Sequence, residues 1–463
     1  MIGLEIHCQL TRLQSKLFCP CKANYRGMVP NSNTCPICLG LPGTLPLLNS
    51  EAVRHGVALA MSLNCTTPES LAFFRKNYFY PDLPKNYQIT QFDAYGHTSI
   101  GGNGTVNTDD GTEIRIRRIQ LEEDPGRLTY EGGNDGRQTT LVDYNRAGVP
   151  LVEIVTEPDF DSPRQARSFM NMLADTIKNL DIADPYLDGA MRADGNVSVH
   201  DGNKVEIKNI NSFHDLEKAL HYELTRQNSL YENNITIQQE TRHWDERRRI
   251  TISSRTKEAE LDYRYFLEAD IPWVDLDDDT IKEISANMPE STTARRERYI
   301  KQYNIKPQVA NVLISDTRCC RLFEEALTPE TALIIANILT TDFMGVMDTR
   351  EKRAASQITA EHLSKIATLI KSNKITRAVA KDVLYKIAKK GGDIDDILDA
   401  SSYDTSKLYD IISDTLQKEP QAAHEARINP PAINYLVGII MRETRGAADP
   451  QEVLRILGEL LKE

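Results

Sequence analysis

Long apolar runs are missing from this sequence of 463 residues. No stretch approaches the roughly 20 apolar residues that a membrane-spanning helix needs, and the first residues lack the basic-then-apolar order of a secretory signal. We therefore expect a cytoplasmic protein with no membrane contact, in which thiols stay reduced. The 8 cysteines should accordingly be metal ligands or buried thiols rather than disulfides.

Two signatures of common chemistries are also absent. The sequence has no G-x-x-x-x-G-K-[ST] motif, which excludes a P-loop nucleotide site. It has no Gly/Ser-rich amidase signature, which argues against glutamine hydrolysis by this chain. Basic residues are not in excess either, because the formal net charge is -12, and this argues against a general nucleic-acid coat protein. Two interpretations of the basic stretches Arg295–Lys301 and Lys371–Lys390 stay open: they are either solvated helix faces or RNA contacts.

The spacing of apolar residues changes near residue 280. Residues before it mix alternating runs with Gly- and Pro-rich turns, whereas the remainder has helical spacing throughout. Helices are predicted after Ser162-Pro163 and after Ser212. We expect an α+β fold, with a mixed or antiparallel sheet domain over residues 1–280, a helical domain over 281–390 and a helical tail domain over 391–463.

Four cysteines have the spacing of a metal site. They form two close pairs, Cys19-x-Cys21 and Cys35-x-x-Cys38, and each pair includes a proline that favours a tight turn. Four thiolates suit tetrahedral zinc, and a closed set of four leaves no open position for chemistry. We predict a structural zinc site, the alternative being unligated cysteines that happen to cluster. The remaining thiols are predicted to be ordinary buried side chains: Cys8, Cys65, Cys319 and Cys320.

Acidic residues and one histidine occur where strands are predicted. Glu5 and His7 share one face of the alternating run at the N-terminus. The run Glu122–Asp124 places three carboxylates before a turn, where their repulsion favours a bound cation. Glu153 lies in a run that is apolar on both faces, so it needs a partner. Oxygen ligands with one imidazole predict a magnesium site, although an acidic surface turn at Glu122–Asp124 is an equal alternative.

Two further segments have polar residues that suit a nucleotide. Residues 192–198 alternate polar and small, and Lys208-Asn209 leads through Ser212 into a helix whose free N–H groups can receive phosphate. The run from Arg75 to Asp82 mixes cations, amides and aromatic rings, as a nucleotide-binding loop would. Solvated strands and packing loops are the alternatives. The candidate nucleotide ligands are Lys76, Asn77, Tyr80, Lys208, Asn209 and Ser212.

These segments together resemble the B-subunit family of heterotrimeric tRNA-dependent amidotransferases, which act in translation. The tail also resembles that family, through the run from Asn434 to Gly438. The matching runs in the first part are Ile2–His7, Pro30–Thr34, Arg75–Asp82, Leu121–Gly126, Leu151–Val155, Met191–Val199, Lys208–Phe213 and Asp262–Phe266.

The resemblance implies a cradle-like catalytic domain, a helical domain and a tail domain that touches the tRNA. It implies that His7, Glu122 and Glu153 hold Mg²⁺, and that Glu5 and Lys76 lie beside the phosphoryl group transferred from ATP. The cysteines match a zinc-bearing branch of the family. The implied partners are an amidase A subunit that supplies ammonia by glutamine hydrolysis, a small C subunit, and misacylated tRNA(Asn) or tRNA(Gln).

The reaction follows from the chemistry of a carboxylate. An Asp or Glu side chain cannot accept ammonia directly, because the oxygen to be expelled is a poor leaving group, and phosphorylation by ATP to an acyl phosphate corrects this. Magnesium and Lys76 or Arg75 would balance charge at the moving phosphoryl group. Two other functions stay open at this point, namely a zinc-stabilised tRNA-binding scaffold without chemistry and a stand-alone metal-dependent phosphohydrolase.

Overall fold

The computed structural model describes residues 1–108, 110–132, 138–200, 202–255, 263–399, 405–444, 448 and 450–461. The chain divides into two compact units, residues 1–291 and residues 292–463. The first combines a sheet with helices and the second is helical, which confirms the predicted α+β class. Within the described ranges, no helix is both long enough and apolar enough to span a bilayer.

The first unit is built on a large mixed sheet. The strands of this unit are β1 (Ile2–Gln9), β2 (Ser70–Leu71), β3 (Phe74–Asn77), β4 (Tyr87–Thr90), β5 (Gly101–Asn107), β6 (Glu113–Glu123), β7 (Arg127–Gly132), β8 (Gln138–Asp143), β9 (Pro150–Thr156), β10 (Met191–Val197), β11 (Val205–Lys208), β12 (Glu240–Asp245), β13 (Ile250–Arg255), β14 (Phe266–Leu267) and β15 (Val274–Asp275). In the large sheet the strands run in the order β13-β12-β11-β10-β1-β9-β6-β4-β3-β14, with β5 paired to β6. Two small sheets pair β15 with β2 and β7 with β8.

Strand β1 occupies the middle of this sheet. It pairs antiparallel with β10 on one side and with β9 on the other. Leu4 and Ile6 are buried in the apolar core, whereas Glu5 and His7 belong to the opposite face of the strand. The predicted alternation of this strand is confirmed.

Helices cover the apolar face of the sheet. Ser162 caps α2 through its hydroxyl, which accepts a hydrogen bond from Gln165 N, and Ser212 caps α3 in the same way through Asp215 N. Both predicted helix starts are confirmed. Gly195 on β10 lets α3 approach closely, because a Cβ there would lie 2.7 Å from Leu220 Cδ2. The helices of this unit are α1 (Ser50–Ser62), α2 (Pro163–Asn179), α3 (Phe213–Glu232) and α4 (Asp278–Asn287).

The second unit contains two apolar clusters. One gathers buried residues from Tyr299 to Ile394, and the other gathers residues from Leu408 to Leu457. A π-helical turn occupies Ile338–Phe343. Gly391, with φ of 70°, is the C-cap of the helix Arg377–Lys390. The helices are α5 (Thr292–Tyr303), α6 (Pro307–Ser315), α7 (Thr317–Ala326), α8 (Ala332–Asn337), α9 (Met344–Val346), α10 (Arg350–Ala355), α11 (Ala360–Lys371), α12 (Arg377–Lys390), α13 (Ile394–Asp399), α14 (Thr405–Lys418), α15 (Pro420–Ile428), α16 (Ile433–Glu443) and α17 (Pro450–Leu460).

Truncating Phe169 tests the packing of α2 on the sheet. Its ring is fully buried and meets the Phe160 ring edge-on, with centroids 5.2 Å apart. Phe169→Ala should lower the free energy of unfolding by about 3–5 kcal/mol, since it removes apolar contact and leaves a cavity. Phe79→Ala, at a ring that is 75% exposed, should change it by less than about 0.5 kcal/mol. Urea unfolding of both variants measures the difference, and equal losses would contradict the packing described.

Candidate active site

The strand register places acidic and basic side chains on the face of the sheet opposite the helices. His7 on β1 lies directly opposite Glu153 on β9 and opposite Arg192 on β10. Glu153 in turn lies opposite Gln120 on β6, two residues before Glu122. Directly opposed residues of antiparallel strands project to the same side, so side chains far apart in sequence meet here.

His7 is surrounded by three carboxylates. Its Nε2 lies 3.5 Å from Glu122 Oε1, 3.6 Å from Glu153 Oε2 and 4.0 Å from Glu5 Oε1. Glu5, His7 and Glu153 can each offer one ligand atom, and these atoms lie within 4.8 Å of one another. His7 Nδ1 is buried and has no hydrogen-bond partner among the described residues. Hard carboxylate oxygens beside one imidazole fit a divalent cation such as Mg²⁺.

The proximity of these groups shifts their pKa values in different directions. Burial and the charge of Glu153 raise the pKa values of Glu5 and Glu122. Burial acts the same way on Glu153, but the close contact with His7 outweighs burial and lowers the pKa of Glu153 to about 2. For His7, burial favours the neutral form, yet the contact with Glu153 prevails and raises the pKa of His7. Glu153 and His7 therefore form the charged pair of the site.

Cations border the same cluster across a polar cleft. The cleft has a volume of about 840 Å³, including space open to solvent, and Lys76 and Lys208 line it together with Glu5, Glu122 and Glu153. Lys76 Nζ lies 5.0 Å from the centroid of the Tyr263 ring. Attraction to Tyr265 and Glu122 overcomes burial and raises the pKa of Lys76. The cleft therefore offers fixed positive charge to an anionic ligand beside the acidic groups.

The three consecutive carboxylates of Glu122–Asp124 do not share one cation. Glu122 joins His7, while Glu123 accepts hydrogen bonds from Lys85 Nζ at 2.5 and 2.6 Å. Asp124 Oδ2 accepts a hydrogen bond from the Gln9 amide. The sequence predicted a bound cation among these three carboxylates. This prediction is wrong for Glu123 and Asp124, because protein side chains are their partners. The alternative of an acidic surface turn is also wrong, since all three residues are buried.

Four of the predicted nucleotide ligands, Asn77, Tyr80, Asn209 and Ser212, lie outside the lining of the cleft. The Asn77 amide donates to the carbonyls of Arg75 and Arg264. The Ser212 hydroxyl exchanges hydrogen bonds with Asp215 at the start of α3, and Tyr80 and Asn209 are exposed. None of the four is among the described residues that line the cleft. Their role in binding nucleotide stays a prediction.

Several cleft residues were not singled out from the sequence. Arg118 and Gln120 precede Glu122 on β6 at a spacing of two, so the strand alternation used for β1 could have found them. Arg118 Nη2 lies 3.5 Å from Glu153 Oε1. The aromatic and hydroxyl residues gave no comparable local signal, because distant loops bring them together. The residues missed include Thr90, Phe92, Arg118 and Gln120. Tyr263 and Tyr265 lie in a run that resembles the family, but no role in the site was predicted for them.

The four predicted cysteine ligands converge elsewhere in the same unit. One sulfur from each of Cys19, Cys21, Cys35 and Cys38 lies within 4.8 Å of the others. The hydrogen bond from Cys19 and the charge of nearby Lys16 lower the pKa of the Cys38 thiol to about 4. Four convergent thiols, one of them readily ionised, fit a soft tetrahedral metal ion.

The cysteine loop is attached to the segment that leads into β9. Asn33 N donates to Asn145 Oδ1 at 2.7 Å, and Leu17 N donates to Gly148 O at 2.9 Å. Gly148 lies five residues before Glu153. The cysteine loop therefore supports the strand that carries Glu153, although none of its four cysteines lines the cleft.

Comparison with known proteins gives a consistent result over the whole chain. The family model of the GatB/GatE catalytic domain matches residues 1–282, and that of the GatB domain matches residues 321–461. The B subunit of the aspartyl/glutamyl-tRNA(Asn/Gln) amidotransferase of Sulfolobus acidocaldarius is 42% identical over 468 residues, covering 100% of this chain and 98% of that one. The proteins of the same name from Methanospirillum hungatei and Carboxydothermus hydrogenoformans are 40% and 38% identical, with the same coverage.

The pairing of His7 with Glu153 can be tested by titration of metal-free protein. Because the folded pKa of His7 is raised, its contribution to stability is fully present below the unfolded pKa and is lost as pH rises through the folded value. Glu153→Gln should lower the pKa of His7, since the amide keeps the shape but not the charge. Histidine NMR resonances against pH measure it, with His7→Asn for assignment.

Glu157→Gln is the control for this titration, because Glu157 is bonded to Arg117 rather than to His7. It should leave the pKa of His7 unchanged. A His7 resonance that titrates identically in the Glu153→Gln variant and the unmodified protein would contradict the pairing.

Proposed function

The chain belongs to the B-subunit family of aspartyl/glutamyl-tRNA(Asn/Gln) amidotransferases, and we propose that its acidic cleft is where the tRNA-borne carboxylate is activated. As one component of an ATP-dependent ligase, it serves the conversion of Asp-tRNA(Asn) or Glu-tRNA(Gln) to the corresponding amide. The observation that carries the assignment of the site is the convergence of Glu5, His7, Glu122 and Glu153 beside fixed cations.

The cations of the cleft suit a phosphoryl group that moves from ATP to a carboxylate. Both reactants are anionic, so they repel each other unless positive charge lies between them. Lys76 lines the cleft with Glu5 and Glu122, and aromatic rings limit its movement. Lys76 would neutralise charge on the phosphoryl group, while Arg118 and Lys208 hold the neighbouring acidic side chains in place.

His7 and Glu153 would hold Mg²⁺ together with Glu122, as the resemblance implies, or with Glu5, which groups with them within 4.8 Å. When bound, such an ion neutralises phosphate charge and fixes the geometry of the transferred group. Glu122 contacts His7 from the side of β6 and lines the cleft, so it would position either the ion or the acceptor. Burial and the charge of Glu153 raise the pKa values of Glu5 and Glu122, so a bound cation would offset the unfavourable burial of their charges.

Ammonia would reach this cleft from another polypeptide. The related proteins are named as B subunits, and the chain lacks a Gly/Ser-rich amidase signature. We therefore infer an amidase A subunit that hydrolyses glutamine and a small C subunit in a cytoplasmic heterotrimer. Misacylated tRNA would supply the carboxylate, and the tail over residues 391–463 would contact its outer body, beyond a helical domain over 281–390.

Zinc would be the ion of the four-cysteine site. Its full set of sulfur ligands leaves no position for water or substrate, so its role would be to hold the loop against the segment before β9. Lys16 Nζ lies 3.7 Å from Cys38 Sγ and donates to Asn33 O. This buried cation would offset part of the negative charge of the thiolates.

Replacing Glu122 tests the chemistry. In the complex reconstituted with its A and C subunits, Glu122→Gln should lower the rate of amidation by about 100-fold or more while glutamine hydrolysis survives. The fold should tolerate the change, because the raised pKa shows that burial already disfavours the Glu122 charge. Glu113→Gln, at an exposed position of the same strand, should retain full activity.

The same assay separates the alternatives. A tRNA-binding scaffold would show no ATP consumption stimulated by misacylated tRNA, and a stand-alone phosphohydrolase would release phosphate without partners or tRNA. Amidation that proceeds normally in the Glu122→Gln complex would refute the proposed site.

Zinc occupancy provides an independent test. Protein purified without chelator should contain about one zinc per chain by mass spectrometry, and Cys38→Ser should lose it and melt at a lower temperature. Cys65→Ser, outside the cluster, should keep its zinc. Native protein that contains no zinc would exclude the assignment.

A further inference from the structure

One strong cation of the acidic face is not accounted for by the proposed chemistry. Arg192 lies on β10 directly opposite His7, so its side chain shares the face of the acidic cluster. Lys76, Arg118 and Lys208 line the cleft on the side of β3, β6 and β11. Arg192 borders the cluster on the side of β10, beside Asp124.

The contacts of Arg192 leave its guanidinium available. Its Nη2 lies 3.6 Å from Asp124 Oδ1, and that oxygen is buried without a hydrogen-bond partner among the described residues. Asp124 is itself held in place, because Oδ2 accepts a hydrogen bond from Gln9 and lies 3.8 Å from Arg146 Nε. The Arg192 side chain is 38% exposed. The charge of Asp124 therefore orients the Arg192 guanidinium. The N–H groups of Arg192 can still donate hydrogen bonds to a ligand.

The other cations of this face contact residues that line or border the cleft. Lys208 Nζ lies 3.0 Å from Asp194 Oδ2 and 3.5 Å from Glu206 Oε1. Arg118 contacts Glu153, and Lys76 lies among tyrosine rings. An incoming carboxylate would meet repulsion from the glutamates around His7, so it needs a donor that is both positive and free to bind.

We propose that Arg192 binds the side-chain carboxylate of the aminoacylated tRNA and presents it to the acidic cleft, an inference that rests on the proposed function. A guanidinium suits this role, since two parallel N–H groups match the two carboxylate oxygens. Asp124 is then a positioning residue that fixes the direction of the fork. The substrate carboxylate would lie beside His7, opposite the cations of the cleft.

This arrangement also gives a reason for product release. The carboxylate of the substrate is charged, whereas the amide that replaces it is neutral. The amide product therefore loses the ion pair with Arg192 while all contacts to the body of the tRNA stay the same. Arg192 would favour the acidic over the amidated aminoacyl group on one tRNA.

The test compares binding of one tRNA in three forms, carrying aspartate, carrying asparagine or uncharged, to the reconstituted complex without ATP. The unmodified complex should bind the aspartylated form about tenfold or more tightly than the other two, as expected for charge-assisted hydrogen bonds. Arg192→Gln should abolish this preference without changing affinity for uncharged tRNA or for ATP. Arg192→Lys should retain part of it, because charge remains but the fork is lost.

Arg115→Gln is the matched control, since Arg115 forms a similar pair with Asp159 at an exposed site. It should keep the full preference. The inference is overturned if the unmodified complex shows no preference, or if the Arg192→Gln complex keeps it. Equal loss of affinity for all three tRNA forms would show a structural role and would also overturn it. Failure of the unmodified complex to amidate would instead refute the proposed function.

Discussion

The register of β1 between β9 and β10 is the constraint on which the rest of the site depends. His7 meets Glu153 across one pairing and Arg192 across the other. Because side chains alternate, a shift of one residue would turn Glu5 and His7 towards the apolar core and bring Leu4 and Ile6 into the cleft. Burial of the apolar set against α2 and α3 thus fixes the position of the polar set. Stability and chemistry are coupled through one strand.

The fold can bury several carboxylates on this face of the sheet because different side chains serve as their partners. Burying several carboxylates together is unfavourable, and the pKa values of Glu5 and Glu122 rise for that reason. His7 lowers the pKa of Glu153. Glu123 forms an ion pair with Lys85, and Asp124 lies near two arginines. A divalent ion that binds here would displace the proton shared by His7 and Glu153, so binding of the ion would release protons.

Local rules predicted much of this fold, and their failures share one physical cause. Capping serines located α2 and α3, alternation located β1 and β10, and cysteine spacing identified a cluster that the structure brings together. The partners of Glu123 and Asp124 were not foreseen, because Lys85 and Arg192 come from distant segments. The sequence also could not predict that Tyr80 is exposed outside the cleft, since the composition of a loop does not determine which of its side chains face the cleft.

The cysteine loop extends the dependence on strand register beyond the sheet itself. Its backbone is bonded to Asn145 and Gly148, and the chain then continues directly into β9. Movement of this loop would displace Glu153 on β9. It would also be resisted, because an interior strand cannot slide without breaking its backbone hydrogen bonds to both neighbouring strands. A metal that closes the loop would therefore act on the acidic site through the position of β9, although it lies outside the cleft.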